Sequence, residues 1–185
     1  MKRNILLILA FCLAIVSCKS PEARRPVQSS SGSFINKSAE RNKELFEKEK
    51  AKITTIIEED TAHNYITSNS GFWYYYNHQD TLQTKMPTIG DRITFTYDVK
   101  YLNGASILSE NEIGLQDYIV DQSNQDLISG LRDGVKLMKM GETITFLFPS
   151  YKAYGYYGIT DKLGANIPIQ CTVTLKNINQ TNENY

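Results

Sequence analysis

The sequence predicts an α+β domain in which one short helix covers an antiparallel sheet of about five or six strands. Three observations lead to this prediction. Residues 93–101 alternate apolar and polar side chains, as a half-buried strand does. Residues 127–138 carry apolar side chains at helical spacing, and residues 144–148 then return to alternation. Between residues 72 and 178 this is the one helical pattern, so the helix is expected to cover the apolar face of the sheet.

Length and composition indicate a single domain with accessory segments. The chain has 185 residues, and its 12 Tyr and 7 Phe supply apolar surface for one core. The 20 basic and 20 acidic side chains balance, which gives no electrostatic support for nucleic-acid binding. Cys12 and Cys18 lie in the leader region, which leaves Cys171 without a partner for an intramolecular disulfide.

The first residues have the form of an export signal. Two basic residues precede an apolar run, residues 5–16, that is too short to span a bilayer. Residues 15–18 resemble the lipobox of bacterial lipoproteins, whose cysteine becomes the first mature residue and carries lipid. An ordinary signal peptide with an incidental cysteine is the alternative. We expect a signal peptide over residues 1–17 and lipidation at Cys18, which would anchor the protein to a membrane of the cell envelope.

A tether and a helix are expected before the domain. Residues 18–37 are rich in Ser, Pro and charge, which predicts a disordered tether. Ser38 is a candidate N-cap for a helix that ends near Asp60. Its narrow apolar stripe favours a helix that packs on its own domain or projects from it over a dimerisation or partner-binding role. After the tether we expect the helix with its linker over residues 38–70, the folded domain over residues 71–179 and a disordered tail over residues 180–185.

Turn residues mark the ends of several predicted strands. Asn103-Gly104 predicts a hairpin between the first alternating strand and residues 105–109. Gly141 can adopt the positive φ of a tight turn, and Pro149 ends a strand because it cannot donate to a ladder. We further expect a first strand over residues 72–76 and an irregular polar segment over residues 110–125. A long loop over residues 156–166 and a closing strand over residues 169–175 complete the domain.

Several motifs of this domain occur together in one known family. They are Gly90-x6-Tyr97, Asn103-Gly104, Leu127-Ile128-x-Gly130-Leu131-x2-Gly134-Val135-x2-Met138-x2-Gly141-Glu142, Pro149 and Ala153-Tyr154-Gly155. Over about residues 87–178 the chain thereby resembles the FKBP family of peptidyl-prolyl isomerases. The resemblance implies a curved antiparallel sheet wrapped around the short helix, with the preceding helix as an N-terminal addition. The lipobox, spacer helix and single domain further resemble the gliding-motility-associated FKBP-type lipoproteins.

The resemblance also implies a pocket for a proline ring. By position, its residues would be Tyr97, Ile107, Tyr118, Leu127, Ile128, Leu131, Tyr154 and Cys171. Leu131 would form the floor, while the Ile128 N–H and the Tyr154 hydroxyl would hydrogen-bond ligand carbonyls. Leu108 stands where many members have Asp, and Cys171 where many have Phe, so we expect a wider and less polar cup. Three residues are assigned to its rim: Leu108, Tyr157 and Leu163.

The implied activity is peptidyl-prolyl cis-trans isomerisation, which needs no metal and no cofactor. His63 and His78 are isolated and lack metal-ligand spacing, which agrees with this expectation. The implied partners are proline-containing peptides or partly folded envelope and surface proteins, including those of a gliding machinery. Binding of an FK506-like ligand is a further implication.

Two other functions stay open at this point. The first is a non-catalytic FKBP-like chaperone or binding module for proline-containing segments, which the departures at Leu108 and Cys171 favour. The second is a purely structural lipoprotein. The family positions retained at Tyr97, Ile128 and Tyr154 favour the enzyme.

Overall fold

The computed structural model describes residues 31–122 and 127–180. Four predicted features lie outside these residues and stay predictions: the signal peptide, lipidation at Cys18, the tether before residue 31 and the tail after residue 180. The chain divides into two compact units, Met1–Ser38 and Ala39–Tyr185. Only the start of one helix is described in the first unit, and the sheet and candidate site belong to the second.

The first helix, α1, spans Ser31–Glu59 and ends where the sequence places its end. It begins earlier than the expected Ser38, so residues 31–37 are helical and not part of a tether. That segment contains no proline, and a helix extends more readily than it nucleates. Ile53 of the predicted apolar stripe is fully buried, which confirms that α1 packs on its own domain. Among the described residues, no helix has the length and apolar character needed to cross a bilayer.

One antiparallel sheet of eight strands forms the body of the second unit. The strands are β1 (Ile66–Thr67), β2 (Trp73–His78), β3 (Arg92–Tyr97), β4 (Val99–Tyr101), β5 (Ser106–Leu108), β6 (Gln116–Ile119), β7 (Thr143–Phe148) and β8 (Ile169–Asn179). Their order is β1-β2-β7-β8-β3-β6, and β4 pairs with β5 and β8. The fold class is as predicted. The strand number exceeds five or six because β1 and β6, with two and four residues, are too short to show a sequence period, and because the strand expected over residues 93–101 is divided into β3 and β4.

Register shifts interrupt three of the strand pairs. They lie between Thr94 and Phe95 in β3, between Val99 and Lys100 in β4, and beyond Tyr76 in β2. Such irregularities bend a strand and increase its twist. They account for a sheet that follows the helix on its inner face instead of staying flat.

The segment 110–125, expected to be irregular, contains a helix and a strand. Helix α2 spans Glu110–Ile113 and begins with a capping box in which Ser109 and Glu112 bond each other's backbone N–H groups. Strand β6 follows and pairs with β3, with Tyr118 opposite Ile93. The Ser-x-x-Glu sequence is a recognised helix-start signal, so α2 could have been predicted. Strand β6 begins with two polar residues, so its sequence does not show the alternation of apolar and polar side chains that is typical of a strand.

Helix α3 covers the sheet as the sequence predicts. It spans Ser129–Gly134, and a 3-10 turn over Val135–Leu137 continues it. A Cβ at Gly130 would lie 2.6 Å from the ring of Phe148, and one at Gly134 would lie 3.0 Å from the ring of Phe146. Both glycines therefore allow α3 to lie closer to β7 than any side chain would permit.

Candidate functional site

All but one of the predicted site residues belong to one apolar cluster between α3 and the sheet. Its buried members from that set are Tyr97, Ile107, Tyr118, Leu131, Leu163 and Cys171. The members that retain some exposure are Leu108, Leu127, Ile128 and Tyr154. The exception is Tyr157, whose side chain is 92% exposed. The structure thus brings together residues from four strands, from α3 and its N-terminus, and from two loops.

Strand pairing explains why these residues meet. Tyr97 is the last residue of β3 and lies opposite Val173 of β8, while Cys171 lies opposite Phe146 of β7. Residues two apart in a strand face the same side, so Tyr97, Cys171 and Val173 all point towards α3. Leu131 projects from α3 onto this face and is fully buried.

Two details of the expected pocket are wrong. Leu131 and Cys171 have no exposed surface, so they form a wall behind the site and not the open floor of a wide cup. Leu163 is 5% exposed and belongs to the core, not to a rim. Both Leu131 and Cys171 are enclosed by the apolar cluster, as in a densely packed interior. The accessible layer consists of Leu108, Leu127, Ile128 and Tyr154.

The side chains of Tyr97 and Tyr154 lie close enough for each to shift the pKa of the other. Burial raises the pKa of both tyrosines, and the neighbouring Tyr97 and Cys171 raise that of Tyr154 further. Burial likewise raises the pKa of the Cys171 thiol well above its usual value. All three groups are therefore neutral near pH 7. The site can offer hydroxyl hydrogen bonds and apolar surface, but these groups supply no charge.

Ile128 occupies the N-cap position of α3, with φ −56° and ψ 145°. Its carbonyl accepts the N–H of Arg132 at 3.2 Å, which starts the helix. The N–H of an N-cap residue is not used by the helix itself. It is therefore a backbone donor at the edge of the apolar cluster, where the side chain of Ile128 is partly exposed.

Contacts that the sequence does not reveal join the loops around the site. Lys162 forms a 2.8 Å ion pair with Glu112 of α2, and its carbonyl accepts the Tyr101 hydroxyl at 3.0 Å. These contacts join the loop that carries Leu163 to the segment that follows Leu108. The partners are distant in the chain, so only the Ser-x-x-Glu signal at Glu112 could have pointed to any of them.

The histidines and acidic groups form no metal centre in the described part of the chain. No set of three or more His, Cys, Asp or Glu side chains there has the arrangement to hold a metal ion. His63 instead bonds the carboxylate of Asp60 at 2.8 Å, and its ring lies 4.0 Å from that of Tyr75. This contact joins the end of α1 to β2.

Known proteins share both the sequence and the fold of this region. A sequence model of the FKBP-type peptidyl-prolyl cis-trans isomerases matches residues 83–176. The probable FKBP-type peptidyl-prolyl cis-trans isomerase FkpA of Neisseria meningitidis serogroup B is 30% identical over 143 residues. The match covers 77% of this chain and 51% of that protein, so this chain spans about half the length of its relative.

Two crystal structures show the same fold at lower identity. A peptidyl-prolyl cis-trans isomerase from Pseudomonas syringae pv. tomato superposes with a TM-score of 0.57 at 19% identity, covering 75% of this chain and 96% of that one. FkpA from Escherichia coli superposes with a TM-score of 0.54 at 16% identity, covering 95% of this chain and 82% of that one. They confirm the expected sheet-and-helix architecture.

Proposed function

Because this chain belongs to the FKBP-type peptidyl-prolyl cis-trans isomerase family, we propose that it catalyses rotation about X-Pro bonds in partly folded protein chains. The observation that supports this proposal best is the composition of the site. Apolar side chains and two neutral tyrosine hydroxyls lie beside the backbone N–H of Ile128, which its helix does not use, and the site's own residues include no acid, base or charged nucleophile. Such a site suits a reaction that needs no proton transfer.

Rotation about an X-Pro bond is slow because the planar amide is stabilised by resonance. The barrier is about 18–20 kcal/mol. At the twisted transition state this resonance is lost and the carbonyl becomes less polar. Apolar surroundings that exclude water therefore favour the twisted amide over the planar one. A thousandfold acceleration requires about 4 kcal/mol of this preference.

Three of the four accessible residues have a proposed role in this mechanism. The side chains of Leu127 and Ile128 receive the proline ring, and the Ile128 N–H donates to a substrate carbonyl that keeps the peptide in register. The Tyr154 hydroxyl donates to a second substrate carbonyl. Leu131 and Cys171 lie behind this layer, so deeper entry of the ring requires the Tyr154 side chain to move.

A non-catalytic binding module is the second candidate. The complete burial of Leu131 and Cys171 favours it, because a shallow site can hold a proline ring without enclosing the amide. A protease-coupled assay on Leu-Pro and Phe-Pro peptides separates the two candidates. A rate that rises in proportion to protein concentration supports the isomerase. A rate at the uncatalysed background, with the peptide still bound by fluorescence, leaves the binding module.

We also propose that the protein acts in the cell envelope as a lipid-anchored folding factor. The proposal rests on the lipobox-like residues 15–18 and the basic, apolar leader before them. Its clients would be exported envelope or surface proteins. The gliding machinery enters the proposal through the resemblance of this arrangement to the gliding-motility-associated FKBP-type lipoproteins. Cys18→Ala should move the protein from the membrane fraction to the soluble fraction, and unchanged membrane association would contradict lipid anchoring.

A further inference from the structure

Helix α1 contacts the segment that precedes Tyr154, although the helix lies outside the matched family region. Glu49 of α1 is 3% exposed. Its Oε2 accepts the backbone N–H of Ser150 at 2.8 Å, across 101 residues of sequence. The neighbouring residue Phe46 packs edge-on against Tyr151, with 5.5 Å between the ring centroids. The middle of α1 is thus joined to the segment that follows Pro149.

Ser150 is the residue from which the Tyr154 loop is built. Its carbonyl accepts the N–H of Ala153 at 3.0 Å and the N–H of Gly155 at 2.9 Å, on either side of Tyr154. The carbonyl of Gly155 in turn accepts the N–H of Asn166 at 2.7 Å. The Glu49 carboxyl group holds the N–H of the same Ser150. A displacement of Ser150 would therefore move both backbone bonds that flank Tyr154.

The chemistry of Glu49 is poorly suited to stability alone. Its second carboxyl oxygen, Oε1, is buried and has no hydrogen-bond partner within the described residues. A buried carboxyl group with an unmatched oxygen is costly, but an apolar side chain of similar size would leave the buried Ser150 N–H without this acceptor. The Glu49 carboxyl group therefore fixes the location of Ser150 at the cost of its own unmatched oxygen.

We infer that Glu49 is a positioning residue for the candidate site, acting on Tyr154 through the backbone of Ser150. The helix α1 is then part of the functional domain and not only a spacer. This inference rests on the proposed function, since it concerns the same Tyr154 hydroxyl. It adds to the site a residue that touches neither the peptide nor the amide.

The test compares full-length variants that differ at position 49. Glu49→Leu keeps the volume and removes the acceptor, Glu49→Gln retains an acceptor oxygen at the same reach, and Glu49→Asp withdraws the carboxyl group by one methylene. Glu47→Leu is the matched control, because Glu47 is exposed on the same helix. The kcat and KM for a Leu-Pro peptide are measured on folded protein, together with Tm and amide hydrogen exchange at Ser150.

We expect Glu49→Leu and Glu49→Asp to lower kcat/KM at least fivefold while Glu49→Gln and Glu47→Leu stay within twofold of the wild type. Exchange at the Ser150 amide should quicken in the first two variants. A change in Tm with kcat/KM unaltered would overturn the inference, since a merely structural contact predicts it. A Gln variant as impaired as Leu would overturn it too. If the Glu49→Leu protein does not fold, the kcat/KM of Glu49→Asp tests the inference instead.

If the proposed isomerase function is wrong, the experiment gives a different result from a failure of the inference about Glu49. If the wild type has no catalysed rate, the isomerase is excluded, and the same variants are compared by peptide affinity. Weaker binding in Glu49→Leu and Glu49→Asp, with Gln unchanged, would still support positioning by Glu49. Equal affinities across the series would overturn it.

Discussion

Tyr97 and Tyr154 lie beside each other and near the buried thiol of Cys171, close enough for each tyrosine to shift the pKa of the other. Tyr97 is the last residue of β3, and Tyr154 lies in the loop that Ser150 supports. The pair therefore lies where the sheet meets that loop. Removing either hydroxyl takes a polar group away from the other.

Tyr154→Phe tests the proposed hydrogen bond from the Tyr154 hydroxyl to a substrate carbonyl. A hydrogen bond contributes about 0.5–1.5 kcal/mol net, which corresponds to about two- to tenfold in rate. We expect kcat/KM for a Leu-Pro peptide to fall by that factor. Tyr157→Phe is the control, because Tyr157 is 92% exposed and lies outside the apolar cluster. Equal losses in both variants would contradict the role given to Tyr154.

The pH dependence of catalysis follows from the tyrosine pKa values. Burial raises the pKa of Tyr97 and Tyr154 above the usual value of 10.0, so both hydroxyls stay protonated throughout the neutral range. We expect kcat/KM to be constant between about pH 6 and pH 9. A profile that rises or falls tenfold within that interval would reveal a titrating catalytic group and contradict the mechanism.

Gly130→Ala tests the close packing of α3 on β7. The added Cβ would lie 2.6 Å from the Phe148 ring and 2.9 Å from the Lys152 carbonyl oxygen. Overpacking of this kind costs about 1–3 kcal/mol in the free energy of unfolding, measurable by urea denaturation. Gly164→Ala is the matched control, since its Cβ would make an ordinary 3.8 Å contact with Ile167. A Gly130→Ala protein as stable as this control would show that α3 lies farther from the sheet.

Lys162→Met tests the contact between the two loops beside the site. The hydrogen bond from Lys162, together with those from Ser109, lowers the pKa of Glu112 to about 2. Because this folded-state pKa lies below the ordinary 4.5, the contact stabilises the protein above about pH 4.5 and is lost as the pH falls towards 2. We expect Lys162→Met to weaken peptide binding at pH 7 and low salt.

Salt and a second lysine distinguish this contact from a general charge effect. The ion pair is exposed, so the difference between Lys162→Met and the wild type should vanish in about 1 M salt. Lys176→Met removes an exposed lysine elsewhere in β8 and should leave peptide affinity unchanged. An effect of Lys162→Met that persists in high salt would assign the loss to packing of the loop.

The parts of the fold that the sequence predicts well are those with a clear period. Strand β3 alternates from Ile93 to Tyr97, and α3 with its 3-10 turn buries Leu131 and Val135 at helical spacing. Strand β6 is missed because, of its four residues, Tyr118 alone is buried. The early start of α1 is missed because Ser38 is a good N-cap that the structure does not use.

The candidate site is predictable only in part, for a physical reason. The family resemblance supplies the positions of Tyr97, Ile128 and Tyr154, and the structure brings all three to one cluster. The depth of the site depends instead on how neighbouring side chains close over Leu131 and Cys171. The bond from Ser150 to Glu49 likewise depends on where α1 packs, which no local pattern encodes.

The most direct test of the account is the isomerisation rate of a Leu-Pro peptide, measured with the full-length protein in H2O and in D2O. The account predicts a rate well above the uncatalysed one, proportional to protein concentration, with a ratio of kcat/KM in the two solvents close to one. That result follows because the amide is twisted in apolar surroundings and no proton moves in the slow step. A rate no faster than background, or a solvent ratio of about two or more, would contradict it.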